Sequence, residues 1–303
     1  KREWQVQVDH KTLAKLITQI ENNPELAPEI VGRFPEHQSK VIGFTGSPGV
    51  GKSSLIDRVI RWIRNKDLSV AVVAIDPSSP FSKGAFLGDR IRMRDHFVDE
   101  KVFIRSMASR GALGGLCDAV FDVVNLLEAS GFDYVLVETV GVGQSEVEIS
   151  NLADLTVLVL SPGLGDDVQM LKAGVMEIAD LYVVNKSDLP ESDTLYTQLL
   201  AFISLAGKSE EQLCKTSSHT LDGVQELVEK IEKLWQFFHD NGTLRHRRKK
   251  RTQHHAEHIL RKMIQQVMYS IGDYQVEDPY EFVELALSKL CKIHSKNGQG
   301  GGI

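Results

Sequence analysis

Gly46-Ser47-Pro48-Gly49-Val50-Gly51-Lys52-Ser53 fits the phosphate-binding pattern G-x-x-x-x-G-K-[ST]. Before it, Val41-Ile42-Gly43-Phe44-Thr45 is short, apolar and β-prone, and reads as a buried strand. After it, Leu55, Val59, Trp62 and Ile63 recur at helical spacing, with Asp57, Arg58, Arg61 and Arg64 between them. Strand, glycine-rich loop and helix is the order that phosphate binding requires. Glycines let backbone amides turn inward around phosphate oxygens, and a helix N-terminus adds its positive end. Lys52 is expected to reach the β- and γ-phosphates and the Ser53 hydroxyl to ligate Mg²⁺, with Ser54 next in the cradle.

Outward from this loop, residues 40–238 alternate strand and helix. Candidate strands are Val41–Thr45, Ser69–Ile75, Val102–Ser106, Tyr134–Glu138, Leu155–Leu160, Leu181–Asn185 and Gln212–Thr216. Runs such as Val70-Ala71-Val72-Val73-Ala74-Ile75 and Val157-Leu158-Val159-Leu160 are apolar at successive positions, which marks strands covered on both faces. The expected fold is therefore α/β: a P-loop nucleotide-binding domain with a mainly parallel sheet between helix layers. Intervening helices are expected near 52–66, 112–130, 167–179, 192–206 and 221–238. Residues 1–39 read as an N-terminal helical extension, with Leu13, Leu16, Ile17 and Ile20 on one stripe. Residues 239–303 read as a C-terminal helical piece ending in a glycine-rich tail. Its helices leave apolar faces that a homodimer contact would cover.

Composition fits this picture. The 303 residues are 42% hydrophobic and 25% charged, ample for a large core, and the net charge of −6 disfavours a nucleic-acid partner for the whole chain. Cys117, Cys214 and Cys291 are widely spaced, with no disulfide framework or C-x-x-C pair, as in a reducing compartment. No apolar run has the length of a membrane span and the first residues are not a signal peptide. A soluble, cytoplasmic protein is expected, or a mitochondrial-matrix one if the source is eukaryotic. The chain begins without Met, which leaves room for an upstream piece. The basic run Arg245–Arg251 reads as a solvated linker or a docking surface for an acidic partner, with nucleic-acid binding as the other reading.

In open parallel sheets ligands sit beyond the carboxyl ends of the strands, so the residues there carry the chemistry. Asp76, before Pro77, suits metal or metal-water coordination; an Asx turn is the alternative. In Leu87-Gly88-Asp89-Arg90, Asp89 can approach the metal and Arg90 or Arg92 a phosphate, or the stretch is a solvated loop. Glu138-Thr139-Val140-Gly141 stands where small GTPases carry D-x-x-G, and the longer Glu138 suits contact through water. Gly141–Glu146 is a glycine-rich segment able to change shape with the γ-phosphate. Within it, Gln144 either positions the attacking water or is an ordinary loop residue.

Asn185-Lys186-Ser187-Asp188 discriminates most. It matches the guanine pattern N-K-x-D at the end of a strand. Asp188 can accept both the N1 and N2 protons of guanine, which adenine does not offer. Asn185 can hold the loop, and the Lys186 stem can cover the ring. A site built on a buried carboxylate rejects a base without matching donors, because the acceptor would be stranded. Ser217, Ser218 and His219 follow where a backbone amide can meet guanine O6. The nucleotide expected is GTP or GDP.

In this order, G-S-P-G-V-G-K-S-S, A-I-D-P-S-S, L-G-D-R-I-R-M, R-G-A-L-G-G, E-T-V-G-V-G-Q-S-E and N-K-S-D make the chain resemble the MeaB/ArgK family of GTPases over roughly residues 10–290. The resemblance implies a GTP-hydrolysing chaperone of an adenosylcobalamin-dependent acyl-CoA mutase, chiefly methylmalonyl-CoA mutase. It makes Asp76, Asp89 and Glu138 the metal-centred acids and the C-terminal helices a dimerisation arm. It also makes Ser161–Lys172 the segment that signals to the mutase. Relatives carry alanine-glycine-glycine-acid there, whereas this chain has Gly163-Leu164-Gly165-Asp166.

Two other readings compete. A metallochaperone GTPase needs a soft metal site, for which His255 and His258, at i, i+3, are candidates with His254; solvated helix residues are the simpler account. A kinase or transport-linked ATPase conflicts with Asp188.

Overall fold

The computed structural model describes residues 8–35, 37–76, 96, 98–108, 119–139, 145–163, 174–271 and 278–297. Seven strands form one sheet: β1 Lys40–Thr45, β2 Val70–Asp76, β3 Val102–Ala108, β4 Tyr134–Thr139, β5 Leu155–Leu160, β6 Leu181–Val184 and β7 Leu213–Lys215. Their order is β3-β2-β4-β1-β5-β6-β7, and each neighbouring pair is parallel. The strand carrying the phosphate loop is thus central, flanked by β4 and β5. Each strand overlaps one of the candidate strands, and the doubly apolar runs Val70–Ile75 and Val157–Leu160 lie in β2 and β5.

The described helices are α1 His10–Asn22, α2 Ala27–Val31, α3 Lys52–Asn65, α4 Ala119–Ala129, α5 Ser145–Leu152, α6 Val175–Ile178, α7 Ser192–Leu205, α8 Val224–Asp240, α9 Thr243–Ile271 and α10 Pro279–Asn297. The helices expected at 112–130 and 167–179 lie partly outside the described residues, which hold only α4 and α6 of them. Helix α5 begins at Ser145, within the segment Gly141–Glu146, and was not expected.

Strand alternation sorts side chains into two cores. Ile42, Phe44, Val157 and Val159 pack with Leu55, Val59 and Ile63 of α3 and with Leu227, Ile231 and Trp235 of α8. On the opposite face, Val41, Val73 and Val135 pack with Leu13, Ile17 and Ile20 of α1, Val120 and Val124 of α4, and Ile149 of α5. A third cluster joins β5 and β6 to α6 and α7. Each such buried side chain stabilises the fold by about 1.5–3 kcal/mol. Helix α1 therefore belongs to the main core: Leu13, Ile17 and Ile20 of its stripe are fully buried and Leu16 partly so, and Asp9 caps it by accepting from the Thr12 amide at 2.9 Å.

The amino-terminal end of the sheet is fastened by aspartates that accept from the first amides of the strands. Asp154 takes the Val41 N–H at 3.1 Å, Asp180 the Thr156 N–H at 2.8 Å, and Asp133 the Ser69 N–H at 2.8 Å. Two arginines of the basic run close this end. Arg248 donates to both oxygens of Asp154 (3.0 and 2.6 Å) and to the Ser39 carbonyl (2.7 Å). Arg247 grips Asp180 with two bonds of 2.7 Å. The expectation of a solvated linker or an external docking surface is corrected for these two: their charges are matched inside the fold.

The chain divides into two compact units, residues 1–248 and 249–303. In the second, Val267 and Ile271 of α9 pack with Ala286 of α10, joined by Phe282, Leu285 and Leu290. Asp278 starts α10 by accepting the Tyr280 amide at 2.8 Å, with Pro279 at the first helical position. No helix among the described residues is long and apolar enough to cross a membrane.

Asp154 is 1% exposed and keeps its Val41 and Trp235 donors when Arg248 is removed, so Arg248→Met leaves a buried charge without its counter-ion. Urea denaturation should show a loss of about 3–5 kcal/mol.

Candidate functional site

Helix α3 begins at Lys52, directly after Gly51, and its first turn has no carbonyls behind it to accept its amides. The first such bond runs from Leu55 N–H to Gly51 C=O at 2.9 Å. This leaves a positive backbone rim facing the loop. Two glycines are obligatory here. Gly46 has φ +141°, and a Cβ there would lie 2.1 Å from the Val159 carbonyl oxygen. Gly51 has φ +93°, and a Cβ there would lie 2.5 Å from Asn185 Nδ2.

Lys52 is buried, and its ammonium donates to the Gly46 and Ser47 carbonyls at 2.5 and 2.9 Å, lying across the loop where a phosphate would go. Ser53 Oγ donates to Glu138 Oε1 at 2.6 Å. Both are buried, and Glu138 reaches the site because β4 runs beside β1 with Glu138 opposite Phe44. A hydroxyl and a carboxylate side by side are the hard oxygen donors that Mg²⁺ takes, so this pair fits the metal. Asp76 closes β2 beside this strand end; of its side chain nothing is described. Asp89 and Gln144 lie outside the described residues.

The base side of the site is built on β6 and β7. Asn185 Nδ2 donates to the Val50 carbonyl at 2.8 Å, and its Oδ1 accepts from Thr216 Oγ1 at 3.1 Å and Ser218 Oγ at 3.4 Å. Lys186, at φ +57°, places its ammonium 2.7 Å from the Gly49 carbonyl. Asn185 and Lys186 thus hold the phosphate loop from the base side. Asp188 is exposed, not buried as expected. Ser217 Oγ donates to its Oδ1 at 2.6 Å, and this bond, with its own loop amide, keeps the carboxyl below the usual range. The structure therefore brings Gly46–Ser54, Glu138, Asn185, Lys186, Asp188 and Ser217–His219 to one end of the sheet.

Sequence reading gave no role to two contacts on α3. Burial pushes the Asp57 carboxyl up, but the His96 hydrogen bond (2.9 Å) and Arg61 (3.1 Å) outweigh it and hold the group charged. Arg58 Nε donates to the Ser218 carbonyl at 3.0 Å. The only signal was polar residues lying between the apolar positions of the helix. Ser161, just past β5, is fully buried with its hydroxyl unmatched among the described residues. Ser161–Gly163 is the described part of the segment 161–172.

Of the candidate histidines, His254 and His258, one turn apart on α9, bring their Nε2 atoms to 3.2 Å. Among the described residues no group of three or more His, Cys, Asp or Glu converges as a metal site.

A family model described as methylmalonyl Co-A mutase-associated GTPase MeaB matches residues 13–272. A Pyrococcus horikoshii protein named provisionally as a GTPase is 42% identical over 300 residues, which cover 93% of this chain and 95% of that one. A Caenorhabditis elegans protein named methylmalonic aciduria type A homolog, mitochondrial, is 36% identical over 215 residues, 68% of this chain and 54% of the relative. The crystal structure of a LAO/AO transport system kinase superposes with a TM-score of 0.62 at 23% identity, covering 96% of this chain and 95% of its own.

Gly51→Ala adds backbone strain and a collision with Asn185 Nδ2 at once. Titration with fluorescent GDP should show nucleotide affinity falling by at least tenfold, whereas Ala at Gly49, which meets no atom within 4 Å, should cost less.

Proposed function

The chain belongs to the MeaB family of methylmalonyl-CoA mutase-associated GTPases, and from that premise we propose that it is a GTP-driven chaperone of an adenosylcobalamin-dependent acyl-CoA mutase, either methylmalonyl-CoA mutase or a close relative. The observation that carries this reading is the family match from residue 13 to residue 272, which takes in the nucleotide site and the first long helix of the C-terminal piece. As a GTPase it hydrolyses GTP to GDP and phosphate.

In this reading Lys52 leaves the Gly46 and Ser47 carbonyls for the β- and γ-phosphates, offsetting their charge. Mg²⁺, when bound, neutralises charge on the β- and γ-oxygens; Ser53 would hold it, with Glu138, Asp76 and Asp89 as the surrounding acids. The Ser53–Glu138 contact supports that assignment. Asn185 and Lys186 hold the base loop, Asp188 reads the guanine donors, and Ser217–His219 supply the amide for O6. Gln144 orients the attacking water. Ser161–Lys172 carries the nucleotide state to the mutase. GTP orders these segments and hydrolysis releases them, so the complex alternates between two states. The cytoplasm, or the mitochondrial matrix in a eukaryotic source, is the compartment that goes with such a partner.

A homodimer through α9 and α10 belongs to the same reading. Ile259, Leu260, Met268, Val283 and Leu287 are large, apolar and exposed there, a surface that association would cover.

Glu138→Gln removes the negative charge but keeps an acceptor for Ser53. The Mg²⁺ concentration giving half-maximal hydrolysis should rise 10–100-fold, while GDP binding without Mg²⁺ stays within twofold. For the chaperone role, the chain is immobilised and loaded with a non-hydrolysable GTP analogue or GDP, then offered purified methylmalonyl-CoA mutase and its relatives. Nucleotide-dependent retention of one mutase, with faster GTP hydrolysis on its addition, is the expected result. Equal or absent retention in both states, with unchanged turnover, would defeat the reading.

A further inference from the structure

The turn after β7 is held from within and from one side. Ser217 N–H donates to the Asp222 carbonyl at 3.0 Å, Leu221 N–H to the Ser217 carbonyl at 2.9 Å, and Thr220 N–H to Ser217 Oγ at 3.2 Å. Leu221 accepts φ +70° to complete it. The amides of Ser218 and His219, between these, have no acceptor among the described residues. Ser217 Oγ meets Asp188 Oδ1 at 2.6 Å, so these two donors stand beside the carboxylate of the guanine pattern.

From the other side comes Arg58. It lies six residues beyond Lys52 on α3 and reaches the Ser218 carbonyl through Nε at 3.0 Å. Its guanidinium is 3.7 Å from Asp57 Oδ2, which braces it. No peptide bond in the described chain is cis. In a planar trans peptide the C=O and the following N–H point in opposite directions. With the Ser218 carbonyl pinned toward α3, the His219 N–H must face away from α3. If the peptide flipped, an acceptor would stand where a donor is needed.

We propose that Arg58 is a positioning residue for base selection: by holding the Ser218 carbonyl it aims the His219 amide at guanine O6. Guanine offers donors at N1 and N2 and an acceptor at O6, whereas adenine offers a donor at position 6. Asp188 tests the first edge and the His219 amide the second, so a 6-amino purine meets a donor facing a donor. The inference rests on reading Asn185–Asp188 as the guanine site, and its test separates the two.

Wild type, Arg58→Ala and Asp188→Asn are titrated with GDP, xanthosine diphosphate and 6-thio-GDP, in which a weakly accepting sulfur replaces O6. Arg58→Ala should raise the Kd for GDP on the order of tenfold, the size of one hydrogen bond. For 6-thio-GDP its Kd should stay within about twofold of wild type, which also shows that the variant folds. KM for GTP should rise by the same factor with kcat unchanged, as for an interaction made equally in ground and transition states. Equal losses for GDP and 6-thio-GDP, or no loss for either, would overturn the role of Arg58. Asp188→Asn should move preference from GDP to xanthosine diphosphate. If it does not, the underlying guanine assignment falls, whatever Arg58→Ala does.

Discussion

The buried hydrogen bond from Asn185 to the carbonyl of Val50 is the constraint on which the rest of the site depends. It ties the loop after β6 to the loop after β1, although β5 stands between them in the sheet. One amide side chain has both of its polar atoms engaged: the NH₂ holds the phosphate loop, and the oxygen gathers Thr216 and Ser218 from the far loop. Three connections that are remote in sequence are thereby fixed to one another before any ligand arrives. A ligand does not have to order these three loops relative to one another, which lowers that part of the entropic cost of binding.

The two ends of the parallel sheet have opposite chemistry. At the carboxyl end polar groups face a ligand, and the bonds of Lys52 to the Gly46 and Ser47 carbonyls are ones a phosphate can replace. At the amino end Asp133, Asp154 and Asp180 accept from strand amides, and Arg247 and Arg248 offset the charges of Asp180 and Asp154. Stability is concentrated away from the chemistry, as suits a protein whose ligand end must rearrange.

Much of this was legible in the amino-acid sequence, for physical reasons. Strands covered on both faces are apolar at successive positions, so β2, β5 and β6 announced themselves. The spacing from Gly46 to Ser53 fixed a loop because only glycine tolerates the backbone of Gly46 and Gly51. Helix α5 escaped because its eight residues, with Ile149 and Leu152 buried, are too short to show a helical period. The basic run misled because charge is visible in sequence and pairing is not: Arg248 meets Asp154 across 94 positions and Arg247 meets Asp180 across 67. Arg58 escaped for the same reason, its partner being 160 positions away.

That remoteness also bears on how the protein is made. Lys40 at the start of β1 pairs with Tyr134, and Ile42 pairs with Leu155, so the strand beneath the phosphate loop has no neighbours when it leaves the ribosome. Closing such long intervals is slow and entropically costly. A nascent chain that stops short of Ser218 lacks the far loop that braces Asn185 and Arg58. Nucleotide capture is therefore expected late in synthesis, and a nucleotide that binds the folded chain and not the unfolded one pulls the last folding step toward completion.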